Sequence, residues 1–251
     1  DDTVAALDFT RILGRPTRNS TLNLGKLVLA AQHGTDTLEE TSYFLSLVTQ
    51  GTKPVVMVGS MRPATAVSAD GPANIYNGVA VAINPEAEGK GTLVSLNDEI
   101  HYARNVVKTN TTTLQTFESV NRGPAGVVHT GTVTWFEPMD KKLGKATGFR
   151  VEKLDKLPRV DVIYAHANMS ADLIDAAIKN GAKGIVVAGV GDGNMTSAAL
   201  ETLEKAAAAG KGGGGAAAMM ERKGAGASAR KCRICMVNKG LCISRLPSLC
   251  S

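Results

Sequence analysis

Cysteine is absent from the first 231 of the 251 residues; Cys232, Cys235, Cys242 and Cys250 all fall near the end. Nothing in the body can therefore depend on a disulfide. Aromatic residues make up only 4% of the chain, so a core must be built from Val, Ile, Leu, Ala and Met. At 43% hydrophobic residues the chain has enough of these to bury a core of ordinary size. No apolar run reaches the roughly 20 residues that a membrane-spanning helix needs, and no membrane partner is expected. The opening residues "DDTVAALDF" are acidic and have neither the basic nor the apolar region of a signal peptide. An exported protein would have lost its address before this point. His33, His101, His129 and His166 do not cluster at metal-ligand spacing, so neither metal nor cofactor is expected.

The net charge of +5 is unevenly placed. Eight of the 28 Lys and Arg lie in residues 210–251 against one acid, Glu221, which leaves 20 basic and 22 acidic residues before them. The body is mildly acidic, and a nucleic-acid partner is not expected of it.

Strand and helix patterns alternate from 26 to 210. "KLVLAA" (26–31), "KPVVMVGS" (53–60) and "GTLVSLND" (91–98) read as buried strands. Between them lie a helix over 37–51, with Leu38, Tyr43, Phe44, Leu47 and Val48 near helical spacing, and a helix over 71–84 opened by Pro72. Glu39 and Glu40 suit the first turn of the former, and Gly51 its end. Residues 101–122 read as an exposed polar excursion, 126–136 as a hairpin, and Trp135 as core. A strand (158–168), a helix with Ser170 as N-cap (170–181), a strand (182–191) and a helix (196–210) follow. Repeated units of this kind predict an α/β fold: a doubly wound, mostly parallel sheet with a second, smaller α/β domain that is incomplete here. The expected organisation is a divergent segment 1–25, a first domain 26–150, the start of a second domain 151–210, and a tail 211–251.

In such sheets ligands meet the carboxyl ends of the strands. That rim holds His33–Thr37, Gly59–Arg62 and Asn97–Asp98. Thr35 and Asp36 in "QHGTDTLEE" have two readings: a helix cap, or a hydroxyl nucleophile beside a carboxylate that grips a cationic ligand. A threonine hydroxyl needs a base, and Lys108 in "VVKTNTTT" is a candidate, since a desolvated lysine can drop toward a neutral pKa. "AGVGDGN" (188–194) is a GxGxG loop without the further Gly and acid of a dinucleotide site, and reads as a tight turn.

"HGTDTLEET", "KPVVMVGSMRP" and "KTNT", in this order and spacing, resemble the type II L-asparaginases and glutaminase-asparaginases over about residues 27–210. The resemblance implies an amidohydrolase that cleaves L-asparagine, with L-glutamine as a second candidate substrate, by acyl transfer through threonine. It assigns Thr35, Asp36 and Lys108 as the catalytic group, with Asp36, Gly34 and Ser60 contacting substrate. It also implies a homo-oligomer, homotetrameric in the family, and a periplasmic or secreted location. Gln32 stands where the family usually has Thr. The family's first Thr-Gly-Gly-Thr signature, its Tyr-bearing lid and its Ser-x-Asp-Met loop have no match in residues 1–25, so the chain is expected to begin inside the enzyme and to release little or no ammonia as written. An α/β domain that only binds an amino acid is the alternative.

From about 211, composition, charge and cysteine usage change together. GGT codons read one base over give GTG, so a Gly run in place of the family's Val run suggests a frameshifted or mis-spliced tail, expected to be disordered. Cys232-x-x-Cys235 has zinc-ligand spacing, but no second such pair follows it.

Overall fold

The computed structural model describes residues 29–136, 157–191, 193–210, 217–222 and 234–235. Expectations for residues 1–28 and for Cys232, Cys242 and Cys250 lie outside these residues. The chain divides into two units, one within 1–118 and 124–145, the other within 119–123 and 146–251.

The first unit is built on a six-stranded sheet of β1 (Leu29–Gln32), β2 (Val55–Val58), β3 (Thr92–Leu96), β4 (Glu99–Tyr102), β7 (Gly126–His129) and β8 (Thr132–Trp135), in that spatial order. β1, β2 and β3 are parallel. β4, β7 and β8 continue the sheet antiparallel, which makes it mixed. Helices α1 (Leu38–Val48) and α2 (Gly71–Ile83) supply the crossovers between the parallel strands. Strand alternation sorts the core onto two faces. Val56, Val58, Leu93, Ile100 and Val128 pack with Val81 and Ala82 of α2. Met57, Val94 and Leu96 pack with Leu38 and Leu45 of α1.

The buried face of α1 is Leu38, Ser42, Leu45 and Ser46, whereas Tyr43 and Phe44 are exposed. Of the expected apolar stripe, Leu38 packs on the sheet and Leu47 and Val48 are half-buried, while Tyr43 and Phe44 turn outward. The two serines can be buried because each hydroxyl donates within its own helix, Ser42 to the Leu38 carbonyl at 2.6 Å and Ser46 to the Tyr43 carbonyl at 2.7 Å. Small side chains there let the helix approach the strands closely. The helix ends at Thr49, before Gly51, which takes φ +105° in the following turn.

Residues 101–122 are only in part the exposed excursion that their polarity suggests: Thr109–Thr113 and Val120–Arg122 are exposed, but most of the rest is not. β4 lies inside the sheet with Ile100, His101 and Tyr102 buried, and Val106, Thr116 and Phe117 are buried behind it. A two-stranded ribbon, β5 (Val107–Lys108) with β6 (Phe117–Glu118), carries the intervening segment. β3 and β4 are joined by Asn97 and Asp98 alone, both at positive φ (51° and 64°), the tight hairpin geometry that Asn and Asp tolerate. Trp135 is half-buried, with its Nε1–H on Asn84 Oδ1 at 3.2 Å and the Lys90 ammonium 4.6 Å above its ring.

The second unit holds β9 (Val160–Tyr164), β10 (Gly184–Gly189) and β11 (Ala217–Arg222) in parallel, with β12 (Ile234–Cys235) antiparallel at the edge. Ile163, Ile185 and Val187 pack on one side with Ile174 and Ala177 of α3 (Asp172–Lys179) and Ala199 and Leu203 of α4 (Ser197–Gly210). Helix α3 begins after Ala171; Ser170 Oγ accepts the Asp172 N–H at a long 3.4 Å. The loop of "AGVGDGN" is a turn closed by Val190 and Asn194, whose N–H groups reach each other's carbonyls at 2.9 and 2.8 Å.

β11 corrects the reading of the tail as wholly disordered. Residues 217–222 pair with all six residues of β10, because an apolar "AAMM" beside an open parallel edge can complete the ladder whatever precedes it. A chain ending at residue 210 is therefore expected to be less stable by about 1 kcal/mol or more, since β10 would become an edge strand. Thermal melts of the two chains followed by circular dichroism check this; coincident melts would put β11 outside the cooperative fold.

Candidate active site

Because β1, β2 and β3 run parallel and adjacent, their carboxyl ends share one edge, and the loops leaving them form the expected rim. The His33 N–H bonds the Val58 carbonyl at 2.8 Å, extending the β1–β2 ladder to the loop. Gly59 suits a close approach: a Cβ there would lie 3.0 Å from the His33 carbonyl oxygen and 3.2 Å from Thr35 Cγ2, so the loop would have to shift by a few tenths of an ångström to admit one.

Asn74 stitches the rim from below. It is buried on α2; its amide donates to the Gly59 carbonyl at 2.9 Å and Asp70 Oδ2 at 3.1 Å, while its Oδ1 accepts the Asn97 N–H at 3.1 Å. Asp70 in turn accepts the N–H groups of Met61 and Arg62, each at 2.9 Å. One buried side chain thus ties the loop after β2 to the turn after β3. The sequence reading passed over Asn74; its signal was an Asn at 74 and another at 77 on the inner face of an otherwise apolar helix.

Lys108 arrives from the ribbon, 72 residues after Asp36. Its ammonium donates to Thr35 Oγ1 at 2.9 Å and to Asp36 Oδ1 at 2.6 Å. The Lys108 side chain is 15% exposed and that of Asp36 86%, so the cation is sheltered while the carboxylate faces solvent. The hydrogen bond from Lys108, and then its charge, hold the Asp36 carboxyl below the usual carboxylate range. The cap reading of Thr35 and Asp36 is not what the structure shows. The residue before α1 is Thr37, which makes no side-chain cap bond, and both Thr35 and Asp36 turn to Lys108.

Three further contacts hold the loop. Thr41 Oγ1 lies 3.0 Å from His33 Nε2, and His33 Nδ1 lies 2.7 Å from the Gly34 carbonyl oxygen. The Gly34 carbonyl can only accept, so Nδ1 is the donor in that contact. The Lys108 backbone N–H donates to Glu39 Oε2, a role the sequence did not show. Gly34 and Ser60 both lie on the rim, Gly34 exposed and Ser60 half-buried. They are not part of the hydrogen-bonded group of Thr35, Asp36 and Lys108. Among the described residues no cluster of three His, Cys, Asp or Glu could hold a metal ion, and no helix is long and apolar enough to cross a membrane.

The motifs and their geometry agree with the comparisons. The family model "Asparaginase, N-terminal" matches residues 28–141, and "Glutaminase/Asparaginase C-terminal domain" matches 159–231. The chain is 53% identical to L-asparaginase 2 of Bacillus subtilis, over 71% of this chain and 47% of that protein. It is 51% identical to the probable periplasmic L-asparaginase of Haemophilus influenzae, over 70% and 50%. It is 44% identical to the glutaminase-asparaginase of Pseudomonas fluorescens, over 69% and 48%. The chain thus spans about half the length of these curated relatives. The crystal structure of a probable cytoplasmic L-asparaginase from Campylobacter jejuni superimposes with a TM-score of 0.71 at 43% identity, covering 73% of this chain and 59% of that one. With both halves matched and the Thr35–Asp36–Lys108 group assembled on the strand ends, the chain belongs to the asparaginase family.

Proposed function

We propose that the site hydrolyses the side-chain amide of L-asparagine, and of L-glutamine as a second substrate, to the acid and ammonia. The convergence of Lys108 on Thr35 and Asp36 from 72 residues away carries this reading. Lys108 donates to Thr35 Oγ1, which leaves the hydroxyl proton of Thr35 free to point away from the cation. In the proposed reaction Thr35 Oγ attacks the amide carbon, its proton passes to the leaving nitrogen, and the C–N bond breaks to release ammonia. Water then cleaves the Thr35 ester and returns the proton to Oγ. Rim N–H groups at Gly34 and Ser60 would face the oxyanion. Asp36, ionised and open to solvent, would grip the substrate's α-ammonium group.

Names among the relatives support both substrates, since some are called L-asparaginase and others glutaminase-asparaginase. They also support both a periplasmic and a cytoplasmic setting; the type II motifs favour export. An oligomer is proposed from the family resemblance and from Ile75, Tyr76, Val79 and Ile83, which are exposed along one helix, α2; sedimentation velocity tests it.

Ammonia release from each amide tests the activity. In a chain that turns over, Asp36→Ala is expected to lower kcat/KM about tenfold or more through the lost carboxylate–ammonium contact. An unchanged kcat/KM would remove Asp36 from the substrate site. The exposure of Asp36 also favours a second reading, binding without turnover. Calorimetric binding of L-asparagine, lost in Asp36→Ala and accompanied by no ammonia, would establish it.

A further inference from the structure

Lys108 is delivered to the site by a ribbon only two residues long on each strand, yet its ammonium must keep two bonds at 2.6 and 2.9 Å to a loop on a different element. A ladder that short fixes position poorly by itself. What ties it to the loop is Glu39. This half-buried side chain stands in the first turn of α1, three residues after Asp36, and accepts the backbone N–H of Lys108. The carboxylate sits where the helix dipole favours a negative charge. Glu39 and Asp36 therefore hold the same residue from one short segment, one by its backbone and the other by its ammonium.

We propose that Glu39 is a positioning residue, whose carboxylate clamps the Lys108 backbone to the start of α1 and so sets the reach of the Lys108 ammonium to Thr35 and Asp36. It touches neither substrate nor the reacting atoms and acts through Lys108. The catalytic consequence rests on the amidohydrolase reading; the clamp itself does not.

Acceptance of an N–H needs an oxygen at that point, not a charge. Glu39→Gln keeps an oxygen there, Glu39→Ala removes it, and Glu39→Asp keeps the charge but withdraws it by one methylene. The readout is the titration of the Asp36 carboxyl, followed by carbon-13 NMR on the intact chain and assigned by its loss in Asp36→Asn. Lys108 is the main cause of the lowered Asp36 pKa, so the titration midpoint reports whether the ammonium is in reach. The midpoint is expected to stay at the wild-type value in Glu39→Gln and to rise by about half a unit or more in Glu39→Ala, the shift moving toward the unpaired carboxylate value. Where Glu39→Ala fails to fold, Glu39→Asp is expected to show the same rise. Folded Glu39→Ala or Glu39→Asp with a wild-type Asp36 midpoint overturns the proposal. So does a Glu39→Gln midpoint that moves as far as that of Glu39→Ala, because charge rather than acceptance would then be the cause. In a chain that releases ammonia, Glu39→Ala is further expected to lower kcat about tenfold with KM little changed, and Glu39→Gln to restore it. A shifted Asp36 midpoint in a chain without ammonia release supports the clamp and counts against the amidohydrolase reading alone.

Discussion

Replacing Thr35 with alanine is expected to lower kcat for ammonia release from L-asparagine at least about a hundredfold while the fold persists, the size that an oriented nucleophile ordinarily supplies. The structural cost should be small. Thr35 is half-buried at the end of a loop, its Cγ2 rests against Gly59, and its hydroxyl accepts from a lysine that keeps a second partner in Asp36. Thr35→Ser retains the hydroxyl and should recover a large part of the activity, whereas Lys108→Ala should lose as much as Thr35→Ala. The double variant Thr35→Ala/Lys108→Ala should lose little more than either alone, because groups that act as a unit are not additive. Activity of Thr35→Ala within a few-fold of the parent, in a protein with an unchanged circular dichroism spectrum, would assign the nucleophile elsewhere.

The second large effect is on stability and comes from His101. This side chain is fully buried on β4, and burial, which disfavours the cation, pushes its pKa down from 6.5 to about 4. Glu99 Oε2 lies 3.2 Å from its Nε2 and would favour the protonated form, but that carboxylate is partly solvated and the loss of water dominates. The unfolded chain takes up a proton near pH 6.5 and the folded chain only near 4. Stability is therefore complete above about pH 6.5 and declines as the pH falls toward 4, because the unfolded state binds the extra proton there. A difference of this size corresponds to about 3 kcal/mol, a sizeable share of an ordinary domain's stability. Urea unfolding at pH 7, 5.5 and 4 is expected to show this loss in the parent chain. A neutral substitute, His101→Gln, should start less stable at pH 7 and lose about 3 kcal/mol less on acidification. Parallel pH dependences in the two chains would show that His101 is protonated in the fold.

Much of the site was legible because its chemistry is local. "HGTD" puts Thr35 and Asp36 side by side at the end of a strand, and "KTN" places a lysine in a segment poor in other cations. What the sequence left open was whether Thr35 and Asp36 cap α1. That is decided by a lysine that arrives 72 residues later, and spacing along a chain says nothing of distance across a sheet. Glu39 read as a dipole-complementing residue of the first helical turn, which it is; its hold on the Lys108 N–H is long-range and left no local trace. Asn74 stayed unread for the same reason, since its partners Gly59, Asp70 and Asn97 come from three different segments.

By itself the sequence determined the alternation of strands and helices, the parallel run of β1 to β3 and the rim on which Thr35 and Asp36 stand, because apolar periodicity and turn residues act over a few positions. The tertiary structure decided which face of α1 is buried, since Ser42 and Ser46 hide their hydroxyls in their own helix and so free the serine face for close packing. It decided that the polar-looking β4 lies inside the sheet with His101 buried, and that residues 217–222 join β10. Each of these depends on what a neighbouring element offers: a flat sheet face, a gap between strands, an open edge. No window of a dozen residues contains that information.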